Sequence, residues 1–184
     1  MVVSFMFTHM MNFSFKSIGL ASLKNDAYVT FVGSFGAAVN AIVRLFAGLA
    51  YQKFGYLKVG LVIFTLEVVT ASLYLWAANN KFTYFIATCA FEITYGGQLG
   101  MYPLLSDTLF KKKGAMYYAY LFSSFTLSLL ISLNGYTYLT TTFGQGFAFG
   151  AVAVVTLTAL PFILRIGRLD EECRKGGEIS QALH

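Results

Sequence analysis

Hydrophobic residues fall into six long runs separated by short polar connections. Each run approaches or exceeds the roughly 20 residues that a helix needs to cross the hydrocarbon core of a bilayer. The predicted spans cover residues 2–20, 28–51, 57–78, 82–105, 115–139 and 143–164. The pattern predicts an all-α membrane protein, with a six-helix transmembrane bundle over residues 1–166 and a short polar carboxy-terminal tail over residues 167–184.

The charge distribution agrees with this class and predicts an orientation. Only 11% of residues are charged, against about 25% in a soluble domain. With six spans, nine basic residues fall on one side of the bilayer: Lys53, Lys58, Lys111, Lys112, Lys113, Arg165, Arg168, Arg174 and Lys175. The opposite side has Lys24 and Lys81, with Lys16 nearby. The positive-inside rule predicts both termini on the cytoplasmic or matrix side, which fits a plasma membrane and a mitochondrial inner membrane equally.

Arg44 is the most informative single residue, because a guanidinium stays protonated and is costly at membrane depth. One interpretation is that its head snorkels to the interface. The other is that Arg44 serves a site, together with Asn40 one turn earlier. Both share a helix face with Gly36 and Gly48, and the glycines are typical of close helix packing in lipid. The amide and the cation suit a carboxylate, which a guanidinium grips through two parallel hydrogen bonds.

Two carboxylates also fall within predicted spans, Glu67 in the third and Glu92 in the fourth. Either could carry a proton or form an ion pair. The alternative is a protonated acid hydrogen-bonded to a neighbouring helix, or an ion pair with Arg44. Glu92 precedes a segment over residues 94–103 that is rich in glycine and ends in Pro103. We expect these glycines to serve close packing rather than a gating hinge.

Several function classes lack any sequence support. Cys89 and Cys173 fall in different environments and are predicted to be free thiols. His9 and His184 stand at opposite ends of the chain, and no metal-ligand spacing or nucleotide-binding glycine pattern is present. No basic exposed domain suited to nucleic acid exists. The sequence therefore predicts neither an enzyme nor a cofactor or metal site.

The stretch NAIVRLFAGLAYQKFGYLK, over residues 40–58, resembles the junction between the second and third helices of a major facilitator superfamily half. That junction carries a glycine, an acidic–basic pair, a second glycine and a basic residue. The corresponding residues here are Gly48, Gln52, Lys53, Gly55 and Lys58. The upstream stretch KSIGLASLKNDAYVTFVGSFGAAVNAIVRLFAGL is similar to the seventh and eighth helices of the oxalate/formate antiporter and monocarboxylate porter branch. The resemblance covers most of the chain and matches the carboxy-terminal six helices of that fold.

The resemblance implies that Arg44 binds the carboxylate of a substrate, with Asn40 beside it. Asn40 stands where some relatives have a proton-coupling aspartate. Gln52 replaces the acidic residue of the gating motif, whose charged contacts normally help hold one closed state. The 115–139 span lacks the lysine that dicarboxylate-exchanging members use in their penultimate helix.

A transporter of this superfamily binds substrate between two six-helix halves. Because Met1 stands almost directly on the first predicted span, we expect no amino-terminal half in this chain. The expected function is half of a carrier for small organic monocarboxylates, completed by another membrane protein chain. The alternative is a transport-inactive, transporter-derived structural subunit of a larger membrane complex. Expected partners are the lipid bilayer, that second chain and a small carboxylate, but not nucleic acid.

Overall fold

The computed structural model describes the backbone of residues 2–182 and the side chains of Phe5 and of residues 8–176. Over this part of the chain the structure is helical and contains no strand. The helices are α1 (Val2–Leu23), α2 (Asp26–Ala77), α3 (Lys81–Phe110), α4 (Gly114–Phe143), α5 (Gln145–Leu157) and α6 (Leu160–Ala182). A short 3₁₀ turn, Lys111–Lys113, joins α3 to α4. The predicted all-α class is confirmed.

Three helical stretches of the described chain are long and apolar enough to cross a membrane. They are Asp26–Ala77, Lys81–Phe143 and Gln145–Gly176. Large apolar side chains cover their outer surface, among them Leu45, Val62 and Trp76, each about 70% exposed. Such a surface is unfavourable in water and suits contact with lipid.

Glycine 55 interrupts α2. Its φ of 79° and ψ of 168° lie in a region that is accessible essentially only to glycine. The sequence predicted a short connection here, and the structure has a single-residue break. We call residues 26–54 the first arm of α2 and residues 56–77 its second arm. The helix begins after Asn25, whose side chain accepts a hydrogen bond from the Tyr28 N–H at 3.0 Å, as is typical of an N-cap.

The first arm of α2 packs against α3 with backbone close to backbone. A Cβ atom added at Gly96 would lie 2.5 Å from the Asn40 carbonyl oxygen, and one at Gly100 would overlap the Arg44 carbonyl oxygen. On α2, a Cβ atom at Gly36 would lie 2.9 Å from Cγ of Glu92. Small residues four apart allow this approach. The packing interpretation of these glycines is confirmed.

The carboxy-terminal segment is helical and continuous with the last predicted span. Within that span, α5 ends at Leu157 and α6 begins at Leu160 after a short turn. From Leu160 the helix continues through Ala182. It packs on the second arm of α2, where a Cβ atom added at Gly167 would lie 2.6 Å from Cδ1 of Leu57. The polar end of α6 is therefore brought beside the break at Gly55.

Candidate functional site

Arg44 lies close to the middle of the first arm of α2. The arm runs from residue 26 to residue 54, so its midpoint is Asn40. At about 1.5 Å of rise per residue, Arg44 is only about 6 Å beyond that midpoint. Its side chain is exposed at the surface of the bundle. If the first arm crosses a bilayer centred on Asn40, the Arg44 Cα would lie about 9 Å inside the boundary of a hydrocarbon core roughly 30 Å thick.

Asn40 connects Arg44 to Glu92 of α3. Arg44 Nε donates to Asn40 Oδ1 at 2.8 Å. The Asn40 amide nitrogen donates to Glu92 Oε2 at 3.0 Å and to the Glu92 carbonyl oxygen at 3.3 Å. Asn40 is buried and Glu92 is partly buried. The three side chains thus form one line, guanidinium to amide to carboxylate, that crosses from α2 to α3.

These hydrogen bonds fix the orientation of the Arg44 guanidinium and point its Nη1–Nη2 edge away from Asn40. Because Nε is engaged by Asn40, the remaining donors are those on Nη1 and Nη2. Among the described residues, neither atom has a hydrogen-bond acceptor, and no carboxylate lies within 4 Å of Arg44. The ring of Tyr95 lies to one side, with its centroid 6.0 Å from Cζ. A carboxylate approaching this edge would meet two parallel N–H groups.

Asn40 is less available to a ligand than the sequence suggested. Its side-chain oxygen accepts from Arg44, and its amide group donates to Glu92. With 5% of its surface exposed, it acts as a spacer that orients Arg44. Direct contact with a ligand at this cluster would therefore fall to Arg44.

Glu67 lies apart from this cluster, on the second arm of α2. It is fully buried and accepts a hydrogen bond from Gln98 Nε2 of α3 at 2.8 Å. No ion pair joins it to Arg44 in the described structure. The two carboxylates that the sequence grouped together therefore occupy different environments.

The residues of the predicted gating motif surround the break in α2. Gly55 forms the break itself, and Gly48 packs on Leu104, whose Cδ1 would lie 3.3 Å from an added Cβ. Lys53 extends over the Phe54 ring at 5.3 Å. Lys58 lines an apolar groove of about 420 Å³ that runs between α2 and α3. The side chain of Gln52 makes no hydrogen bond in the described structure, although its carbonyl oxygen does.

Two residues of α6 that the sequence did not single out hold the two arms of α2 together. Asp170 is fully buried. Its Oδ1 accepts from the Tyr51 hydroxyl at 2.7 Å, and its Oδ2 accepts from the Tyr56 N–H at 2.9 Å. Arg174 donates to the carbonyl oxygens of Tyr51, at 3.0 Å, and Gln52. We call Asp170 and Arg174 the α6 clasp.

The α6 clasp satisfies the backbone groups that a helix break leaves without partners. The first arm ends with carbonyl oxygens exposed, and the second begins with unpaired N–H groups. Arg174 binds two carbonyl oxygens at the end of the first arm, and Asp170 binds one N–H group at the start of the second. Each charge also has the sign that the helix dipole favours at that end. More than 110 residues separate Asp170 from its partners, so no local sequence signal could have indicated this contact.

No group of three or more His, Cys, Asp or Glu side chains in the described part of the chain could hold a metal ion. Comparison with known proteins returns no relative: no protein-family model, curated protein or solved structure matches the chain.

Proposed function

We propose that this protein is one half of a major facilitator-type carrier for small organic monocarboxylates, and that it works with a partner chain. The observation that carries the proposal is the Arg44 guanidinium. It is oriented through Nε by Asn40 and presents Nη1 and Nη2, which have no acceptor among the described residues, at the surface of an apolar bundle. A planar, permanently charged group held in this way is suited to binding a carboxylate end-on.

The lengths of the helical stretches support six membrane crossings. The 52 residues of α2 would extend about 78 Å as a straight helix, more than twice the roughly 30 Å of a hydrocarbon core. The break at Gly55 divides this stretch in two, and the Lys111–Lys113 turn divides Lys81–Phe143 in the same way. If α1 and Gln145–Gly176 each cross once as well, the chain would have six crossing segments. The basic residues of the connections would place both termini on the cytoplasmic or matrix side.

The charge of the cluster favours a monocarboxylate. Arg44 supplies one cation, and the 115–139 segment contains no charged residue that could provide a second. With Glu92 ionised, the formal charges of Arg44 and Glu92 cancel. With Glu92 protonated, the cluster is formally +1 and attracts an anion more strongly. Binding of a proton and of a carboxylate would then reinforce each other, because such coupling is reciprocal.

A partner follows from the exposure of the same cluster. Placing an arginine in hydrocarbon costs several kcal/mol even on the more permissive scales, about 2.5–3.5 kcal/mol at mid-bilayer. Arg44 is exposed on this chain, so a covering surface would remove that cost. In a carrier, this surface is the second half, which would close a cavity over Arg44.

A structural subunit of a larger membrane complex is the second candidate. Gln52 favours it, because this neutral amide stands where the resemblance predicts the acidic residue of the gating motif. A carrier that is gated through that charge would lose the contact, whereas a fixed subunit does not need it. In this case the partner would be another subunit, and Arg44 would bind an acidic group of that subunit or a lipid.

The test is uptake of a labelled monocarboxylate into proteoliposomes that contain the complex purified from native membranes. Arg44→Lys keeps the charge and loses the planar fork, so we expect uptake to fall on the order of tenfold, the loss of about 1.4 kcal/mol. The matched control is Arg168→Lys, the same substitution at an exposed arginine of α6 outside the cluster and the gating motif. Equal uptake by the wild type and Arg44→Lys would contradict carboxylate binding by Arg44. Absence of uptake by the wild-type complex would favour the structural subunit.

A further inference from the structure

Glu67 and Gln98 form a polar pair inside the bundle that the proposed carrier mechanism does not use. Glu67 lies on the second arm of α2 and Gln98 on α3. Their exposed fractions are 0% and 2%. The contact between them is a hydrogen bond of 2.8 Å from Gln98 Nε2 to Glu67 Oε2. The pair therefore links the second arm of α2 to α3 at a position closed to solvent.

Both side chains have one oxygen without a partner. Among the described residues, no donor reaches Glu67 Oε1 or Gln98 Oε1, and both atoms are buried. No described Lys, Arg or His nitrogen lies within 4 Å of the Glu67 carboxyl oxygens. An ionised carboxylate at this position would be stabilised by one neutral amide donor alone. Such a buried charge is far more costly than a neutral group, and proteins commonly avoid it by protonation.

A single proton bound by Glu67 would give both of these oxygens a hydrogen-bond partner. A protonated carboxyl group has one O–H donor and retains an acceptor oxygen, and a primary amide has both a donor and an acceptor. The two groups can therefore pair through two hydrogen bonds in opposite directions. Gln98 Nε2 donates to Glu67 Oε2, as observed, and a proton on Glu67 Oε1 would be donated towards Gln98 Oε1.

We propose that Glu67 and Gln98 form a buried proton-binding site, in which Glu67 is a neutral carboxylic acid at neutral pH and donates to Gln98. The pair joins α2 to α3 by side-chain hydrogen bonds without a charge in the interior. Glu67 differs from Glu92 in its surroundings, because Glu92 is only partly buried and is linked to the Arg44 cation through Asn40. The inference concerns Glu67 alone and holds whether or not the protein is a carrier.

Infrared spectroscopy of the complex purified from native membranes tests this proposal. A protonated carboxyl group gives a C=O stretching band that is separate from the carboxylate and amide bands. We expect such a band in the wild type at neutral pH, a shift of that band after labelling with ¹³C-glutamate, and its loss in Glu67→Gln. Glu171→Gln, at an exposed glutamate of α6, is the matched control and should keep the band.

A second variant covers the case in which Glu67→Gln fails to assemble. Gln98→Leu removes the amide partner and retains the acid, so the band should persist and move to higher frequency. Two results would overturn the proposal. One is that Glu67→Gln leaves the C=O band of the protonated carboxyl group in place, or that Gln98→Leu does not change its frequency. The other is a band that appears only when Na⁺ is withdrawn, which would assign the two oxygens to a metal cation.

Discussion

The α6 clasp should contribute measurably to stability, and Asp170→Asn is the sharpest perturbation of it. The aspartate accepts one hydrogen bond at each carboxyl oxygen, from the Tyr51 hydroxyl and from the Tyr56 N–H. An asparagine of the same shape keeps one acceptor oxygen for the Tyr56 N–H. Its amide group can donate to the Tyr51 hydroxyl, whose own proton then goes to Thr108 Oγ1 at 2.8 Å. Both hydrogen bonds can persist, but each loses the charge of the carboxylate.

A hydrogen bond to a charged group exceeds a neutral one by about 1 kcal/mol. Because two such hydrogen bonds lose their charge, we expect Asp170→Asn to lower the free energy of unfolding by about 2 kcal/mol. For a chain of this size that corresponds to a fall in the thermal midpoint of roughly 4–8 °C.

The assay is thermal unfolding in mild detergent, followed by the helical circular dichroism signal. Glu171→Gln is the matched control, because residue 171 is adjacent and exposed, and a surface substitution of this kind changes stability by about 0.5 kcal/mol or less. If the midpoint of Asp170→Asn equals that of Glu171→Gln, the clasp does not stabilise the break and the reasoning fails.

Two further predictions concern packing and topology. Gly100→Ala should prevent the close approach of α3 to the Arg44 carbonyl and reduce the yield of folded protein. The control is Gly135→Ala, where an added Cβ meets nothing within 4 Å; it should be neutral or stabilise the helix by up to about 1 kcal/mol. Equal yields of the two variants would contradict the packing. Single cysteines placed at Lys53, Lys81 and Lys112 should be labelled from one side at 53 and 112 and from the other at 81. Labelling of all three from the same side would exclude the six-crossing topology.

The helical segments and the close packing could be predicted because their signals are local. Apolar runs of about 20 residues indicated long helical segments. The structure differs at the end of the chain, where the 143–164 run is divided between α5 and α6 and α6 continues through Ala182. Glycines four residues apart indicated a face that another backbone approaches, and the structure places Gly96 and Gly100 against α2. The four-residue spacing of Asn40 and Arg44 likewise indicated that their side chains meet on one helix face.

The contacts between distant segments could not be predicted in this way. Nothing near Asp170 indicates that it binds the backbone of Tyr56, 114 residues earlier. The partner of Glu67 was similarly open, because an isolated glutamate in an apolar span is compatible with an ion pair or with an amide. The structure places Gln98 beside it and Arg44 elsewhere. Pairing of polar groups across helices depends on the helix packing, which a single sequence does not encode locally.

We propose that this chain acts within an assembly that covers Arg44. The most direct measurement is the native mass of the particle extracted from native membranes in mild detergent, with crosslinking before extraction. We expect a mass well above that of one chain of 20.3 kDa with its bound detergent. We also expect crosslinks from the exposed face of the first arm of α2 to another membrane protein chain. A stable particle that contains a single copy of the chain, with no protein crosslinked to that face, would contradict it.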